Sequence, residues 1–410
     1  MVAKAFKTEE FFVEKTIFYL LLIFIALTPV PNATAIRNIS LSLAGVMSLP
    51  LLLKNNYRKS FSNPLLLPMF LFGAWALLGS ILSPLSRMES LHDFVSHYLK
   101  YILLYFGVIL FFSSKKKIEK LLWSIVFSST VYYAWTMLDY YVILGNSINR
   151  RLGSFYSGFV ENIEGFVTIT TLLFALVLFK QYKAVACRMF LLVSMIVLSL
   201  ASVLSQSRAT IGALIIALLI LAFKNKKFFF SMVLCIVLLL SFTSVPGRMG
   251  KKGFHDENRK YIFNFSLEVV RDYAVVGTGF DINVFRELRI NHPEDYKRYV
   301  AKVGIPKKRF IYHWPHSNIL SILVRTGVIG LLLYVSILFA FVRMSISGIR
   351  SSDQYWSNIS WSLLAAFTAV FIKGLFEPTF VHKVDTIFYL ILGLQSVIWI
   401  KGKKKFGEGN

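Results

Sequence analysis

Residues 313–342 read HWPHSNILSILVRTGVIGLLLYVSILFAFV, and two chemistries meet in that stretch. Up to Asn318 it is polar and aromatic, with His313 and His316 on either side of Trp314 and Pro315. From 317 to 342 it is an apolar run broken by one full charge, Arg325. Such a run exceeds the roughly 20 residues that carry an α-helix across a hydrocarbon core of about 30 Å. The stretch therefore marks the point where a polar insert passes into a membrane span. The insert reaches back to Pro246 and is the only long polar segment of the chain, carrying Arg248, Lys251, Lys252, Arg259, Lys260, Arg271, Lys307, Lys308 and Arg309.

The remainder is organised around membrane spans. Of 410 residues 56% are hydrophobic, and the mean hydropathy is +0.62, which excludes an ordinary soluble domain. The apolar residues come in continuous blocks, not in the ten-residue alternation of a transmembrane β-barrel. The expected fold is an all-α polytopic membrane protein of about 12 transmembrane helices, at 16–31, 38–53, 64–84, 98–113, 120–144, 163–180, 187–205, 209–223, 228–244, 317–342, 356–376 and 384–400. Three parts follow: residues 1–244 with helices 1–9, the loop 245–316 with an amphipathic helix, and residues 317–410 with helices 10–12 and a basic tail. The first run follows Lys4, Lys7 and Lys15 without a small-residue cleavage site and reads as a retained span. Cys187 and Cys235 sit beside or within apolar runs, a pattern that suggests neither a disulfide framework nor a metal site.

Loop charges give the orientation. Every second loop is basic: Lys54/Arg58/Lys59, Lys115/Lys116/Lys117/Lys120, Lys180/Lys183/Arg188, Lys224/Lys226/Lys227, Arg343/Arg350, and the tail Lys401/Lys403/Lys404/Lys405. By the positive-inside rule those loops and both termini are cytoplasmic. The net charge of +24 then reflects cytoplasmic lysine bias and attraction to anionic lipid headgroups, with no nucleic acid partner implied. The insert falls on the outer side and is too long for the charge rule to govern, so its basic residues need another reason. Within it Ile262, Phe265, Val269 and Tyr273 recur at helical spacing, which predicts an amphipathic helix over 258–273, suited to lying along a membrane surface, ended by Gly277 and Gly279.

Four groups with useful chemistry fall on that outer side. They are Arg150 and Arg151 after span five, Arg208 in the tight turn between spans seven and eight, Arg259 at the start of the amphipathic helix, and His316 at the mouth of span ten. A guanidinium donates paired hydrogen bonds to phosphate and stays charged at any relevant pH, although outer arginines also merely touch lipid phosphates. Imidazole near its neutral pKa can accept a hydroxyl proton, although a histidine at a helix entry also serves as a local hydrogen-bonding residue. His313, separated from the helix by Pro315, has the weaker claim. Among the charges within or beside spans are Glu161, Glu164, Arg325, Lys373, Glu377 and Asp385, which are expected to face the bundle interior and pair with one another. No Walker-type sequence indicates ATP use, and no Asp-x-Asp pair or His/Asp cluster is spaced for a divalent ion, so no cofactor or metal is expected.

At these residues the sequence resembles the O-antigen ligases and their relatives, the O-antigen polymerases and protein O-oligosaccharyltransferases. The ligase pattern H-[NSQ]-x9-G-x2-[GTY] is met by His316-Ser317, nine residues, Gly327, Val328-Ile329 and Gly330. Ser207-Arg208-Ala209-Thr210 is similar to the family's Ser-Arg segment, and Arg259 to the arginine that precedes its Gly-x-Gly, here Gly277-Thr278-Gly279-Phe280. The stretch Gly158-Phe159-Val160-Glu161-Asn162 departs from the Asn-Pro-Asn of many relatives, which leaves the choice between Arg150 and Arg151 open.

The resemblance implies a GT-C-like fold with a large periplasmic loop between helices 9 and 10, in the bacterial inner membrane. It implies transfer of O-polysaccharide from undecaprenyl pyrophosphate to lipid A–core oligosaccharide at the periplasmic face, without metal or nucleotide. His316 would be catalytic; Arg208, Arg259 and Arg151 would hold the pyrophosphate; His313, Ser317 and Asn318 are further candidates. The alternatives are an O-antigen polymerase, or a flippase for lipid-linked sugars, for which no opposed repeats are evident. Reporter fusions test the topology: one placed after Lys252 should read as outside and one after Lys404 as cytoplasmic, and two cytoplasmic signals would overturn the arrangement.

Overall fold

The computed structural model of the chain describes residues 2–52, 61–153, 161–222, 257–306, 314–377 and 382–407. The expected ninth span at 228–244, His313, and the basic residues Arg248, Lys251, Lys252, Lys307, Lys308 and Arg309 lie outside them. Among the described residues there are helices and no strands. They run α1 Val2–Ala26, α2 Thr34–Leu52, α3 Leu66–Ile81, α4 Arg87–Phe111, α5 Lys115–Ile143, α6 Glu161–Gln181, α7 Val185–Leu204 and α8 Arg208–Ala222. After the insert's α9 Glu257–Asp272, α10 Val284–Asn291 and α11 Pro293–Val303 come α12 Asn318–Ile349, α13 Gln354–Gly374 and α14 His382–Gly407.

Eleven of the expected spans coincide with helices. Among the described residues seven helices (α4 to α7 and α12 to α14) are long and apolar enough to cross a membrane, and α3 and α8 are shorter apolar helices. The first span is displaced: α1 starts well before residue 16 and ends at Ala26, because Pro29 and Pro31 stop a helix that the apolar run alone would carry to 31. Apolar side chains also face outward in stripes, such as Ile36, Ile39, Leu43, Val46 and Leu49 on α2. Apolar faces on both the inside and the outside are what a lipid solvent requires, and the chain is a multi-pass membrane protein.

The segments expected on one side meet each other. At one end Lys115 pairs with Asp353 (2.9 Å), and Tyr182 donates to Glu119 (3.1 Å). At the other, Ser86 donates to Asp281 (2.9 Å), and Lys383 pairs with Glu164, which also accepts from Tyr133 (2.6 Å). That second end carries the insert.

The insert is a small folded unit. α9 was expected to lay its apolar face on the membrane, but Ile262, Phe265 and Val269 are buried against Val284, Phe285, Leu288, Tyr299 and Ile305 of α10, α11 and the residues after them. The correction has a simple physical cause: a helical face buries itself against a protein partner when the chain supplies one, and two amphipathic helices follow directly.

Two wide helical turns interrupt the regular winding of α4 and α5. Val95–Leu99 in α4 and Leu138–Ile143 in α5 are π-helical, a winding with one extra residue per turn.

α12 is broken at Gly327, where φ is +67° and ψ −172°. A helix broken there leaves carbonyls without their usual partners, at a depth where each unsatisfied group costs several kcal/mol. The insert and α3 fill them. Thr278 donates to Val324 O through its backbone N (2.9 Å) and its hydroxyl (3.1 Å), and Gly279 N donates to Arg325 O (3.1 Å). Trp75 Nε1 donates to Thr326 O (2.9 Å), and Val328 N returns a bond to Ala274 O (2.8 Å). A Cβ at Gly327 would overlap the Val275 carbonyl, and one at Gly277 would overlap the backbone of Arg325. Gly327→Ala should therefore lower the thermal midpoint of the detergent-solubilised protein by the equivalent of about 1–3 kcal/mol or more; an unchanged midpoint would show that the break is not required.

Candidate functional site

The charges at the insert end collect into two clusters. The first is built on the turn Ser205-Gln206-Ser207 between α7 and α8. Gln206 takes a left-handed conformation (φ +48°), and the Ser207 hydroxyl accepts from Thr210 N (3.3 Å), starting α8 as an N-cap. Arg208 follows as the first residue of α8 and is exposed. The loop after α5 is laced to this turn: Leu152 N donates to Leu204 O (2.8 Å), Arg151 Nε to Ser205 O (2.7 Å), and Gln206 Nε2 to Asn149 O (3.2 Å).

Glu377, just past α13, is only 5% exposed. Arg259 from the insert approaches it (3.7 Å), and Arg151 and Lys373 also act on its carboxylate. Burial raises the Glu377 carboxyl above its usual range, against the pull of Lys373, Arg259 and Arg151. Three cations from three parts of the chain thus surround one buried acid. Arg150 points elsewhere, donating to Asn146 Oδ1 (3.1 Å) within its own exposed loop.

His316 stands in the residues leading into α12, its ring 6.1 Å from that of Trp314. Ser317 is extended at the helix entry. Asn318 turns inward and donates to Tyr334 (2.7 Å). Asn318 and Asp385 line a mostly apolar cleft between α3, α4, α12, α13 and α14, about 640 Å³ of unfilled space part of which is open, whose walls include Phe72, Phe367 and Phe388.

The second cluster was not anticipated. No His/Asp group was expected at metal-ligand spacing, yet α4 and α14 bring His97, His382 and Asp385 together with ligand atoms within 4.8 Å of one another. These residues are far apart in sequence, so no local spacing signalled them. His97 Nδ1 and Asp385 share a hydrogen bond (2.7 Å), and the rings of His97 and His382 stack at 4.4 Å, 3° from parallel. The donor set suits a divalent ion by identity and spacing, but Arg325, Lys100 and Arg37 bear on the histidines, and cations so close oppose a further cation.

Arg325, expected to pair with a carboxylate, is held by the backbone and ring of Phe280 with three carboxyl groups nearby. It is fully buried, lies 3.9 Å from the Phe280 ring centre and donates to the Phe280 carbonyl, with Asp93, Asp281 and Asp385 close by. Asp281, in the insert, accepts from Ser86 (2.9 Å) and from Asn283 N (2.7 Å), and burial pushes its carboxyl up to about 6.

Residues 193–335 match the sequence model of a family described as O-Antigen ligase, the family that the residue patterns resemble. The matched range holds Arg208, Arg259, Gly277, Gly279, His316, Gly327 and Gly330. No curated protein matches the chain. Activity of the purified protein should survive excess EDTA, because cations dominate the cluster at Glu377, and Arg325, Lys100 and Arg37 bear on His97 and His382; loss restored by a divalent ion would assign His97, His382 and Asp385 to a metal.

Proposed function

We propose that the protein is an O-antigen ligase, moving O-polysaccharide from undecaprenyl pyrophosphate onto lipid A–core oligosaccharide in lipopolysaccharide synthesis. The reading includes a bundle of 12 spans of the GT-C type in the bacterial inner membrane, both termini cytoplasmic and the insert periplasmic. It divides the chain at 1–244, 245–316 and 317–410. The observation that carries it is the match over 193–335, which holds Arg208, Arg259 and the whole His316-to-Gly330 pattern. The cation cluster around Glu377 supports it, because a lipid diphosphate is a concentrated anion and arginine forks suit its oxygens.

In the proposed reaction Arg208, Arg259 and Arg151 hold the diphosphate and stabilise the charge that develops as it leaves. The acceptor hydroxyl oxygen attacks the anomeric carbon, with inversion. The bond from that carbon to the phosphate oxygen breaks, the diphosphate departs with the electron pair, and His316 takes the hydroxyl proton. Ser317 and Asn318 are assigned to the acceptor side, with His313 a further candidate.

A strain lacking the gene tests the reading. It should show bare lipid A–core with lipid-linked polymer accumulating; core bearing a single repeat unit would favour a polymerase instead. Complementation with His316→Ala should leave ligation reduced about 10²–10⁴-fold while donor binding persists. Arg259→Ala and Arg208→Lys should weaken donor use, the latter because lysine keeps the charge but loses the fork. Normal ligation by all three variants at normal expression would overturn the assignment.

A further inference from the structure

Lys373 sits in the last turn of α13, is 0% exposed and, among the described residues, has no hydrogen-bond partner for its Nζ. An ammonium is a strongly hydrated point charge, and removing it from water without pairing is heavily penalised. What surrounds it offsets that only in part, since Glu377 attracts it without a hydrogen bond. Nζ lies 4.7 Å from the centre of the Phe166 ring, a favourable but modest contact. The nearby carboxylate, Glu377, makes its ion pair with Arg259.

The neighbouring helices approach the lysine closely because one of them carries a glycine there. Gly165 of α6 lies beside the lysine stem: a Cβ there would stand 2.9 Å from Lys373 Cε and would overlap the side chain of Thr210. Thr210, two residues into α8 from Arg208, has a buried hydroxyl oxygen that also lacks a hydrogen-bond partner among the described residues. An unsatisfied ammonium and an unsatisfied hydroxyl therefore share one buried spot at the foot of the Arg208 turn, next to Glu377, where Arg151 and Arg259 gather.

We propose that Lys373, with the Thr210 hydroxyl beside it, is a phosphate-binding residue of the lipid diphosphate site, sharing its oxygens with the arginines. The assignment rests on the lipid-diphosphate reading of the arginine cluster. It explains why an ammonium is kept where a methionine would pack at less cost: the bound anion supplies the missing partner.

The test uses the full-length protein in detergent, with undecaprenyl diphosphate as the probe, and reads Kd and Tm for Lys373→Met, Thr210→Val and Arg259→Ala. Lys373→Met should bind the diphosphate roughly ten- to a hundredfold more weakly, while its ligand-free Tm stays at or above that of the parent. Thr210→Val should weaken binding a few-fold, and it decides the matter if Lys373→Met does not fold. A lower Tm with unchanged Kd for Lys373→Met makes the ammonium structural and overturns the inference. If Arg259→Ala weakens binding and both Lys373→Met and Thr210→Val leave it intact, the inference alone fails. If none of the three changes it, the lipid-diphosphate reading fails with it. Phosphatidylglycerol serves as the control: an equal loss of its binding on Lys373→Met would assign the ammonium to bulk headgroups and overturn the proposal.

Discussion

Much of this molecule hangs on a set of backbone hydrogen bonds at one break in one helix. Where α12 gives up its regular winding at Gly327, the carbonyls of Val324, Arg325 and Thr326 turn to Thr278, Gly279 and Trp75. In water such bonds would be replaceable by solvent; in a bundle bathed in lipid they are not. The insert is thus fastened to the membrane helix that begins at its own end. Two signals that look independent along the chain, the paired glycines at 277 and 279 and the glycines at 327 and 330, are the two halves of this junction.

Charge is distributed around that junction in an unusual way for a membrane interior. Arg325 is enclosed by carboxylates and an aromatic face, so its charge is answered within the protein. The cluster at Glu377 is different: one acid faces three cations, and the excess of positive charge sits at the end of the bundle that carries the insert. The first arrangement holds the insert to the bundle. The second leaves electrostatic attraction over for something anionic.

The spans were legible because a membrane helix writes its length directly into the sequence, and eleven of twelve runs coincide with helices. The amphipathic helix at 258–273 was legible as a helix, but its neighbour was not: period alone shows that a face is apolar and leaves open what covers it. Arg151 could not be told from Arg150 in sequence, since what separates them is a bond to Ser205 O, a residue fifty-odd positions away. His97, His382 and Asp385 were illegible for the same reason in stronger form. Their association depends on α4 and α14 lying side by side, which no local spacing encodes.

The wide turn at Val95–Leu99 carries a geometric consequence. A regular helix advances about 100° per residue, so one additional residue in a turn shifts the phase of everything on one side of it relative to the other. In α4 that phase step lets a single helix address two neighbours lying in different directions. On the N-terminal side of the step, Asp93 accepts from Ile282 N (2.7 Å) in the insert. At and beyond it, His97, Tyr101 and Tyr105 bond to Asp385, His382 O and Ser396, all on α14. An unbroken α-helix of the same sequence would keep one of these two sets of bonds and turn the other toward lipid.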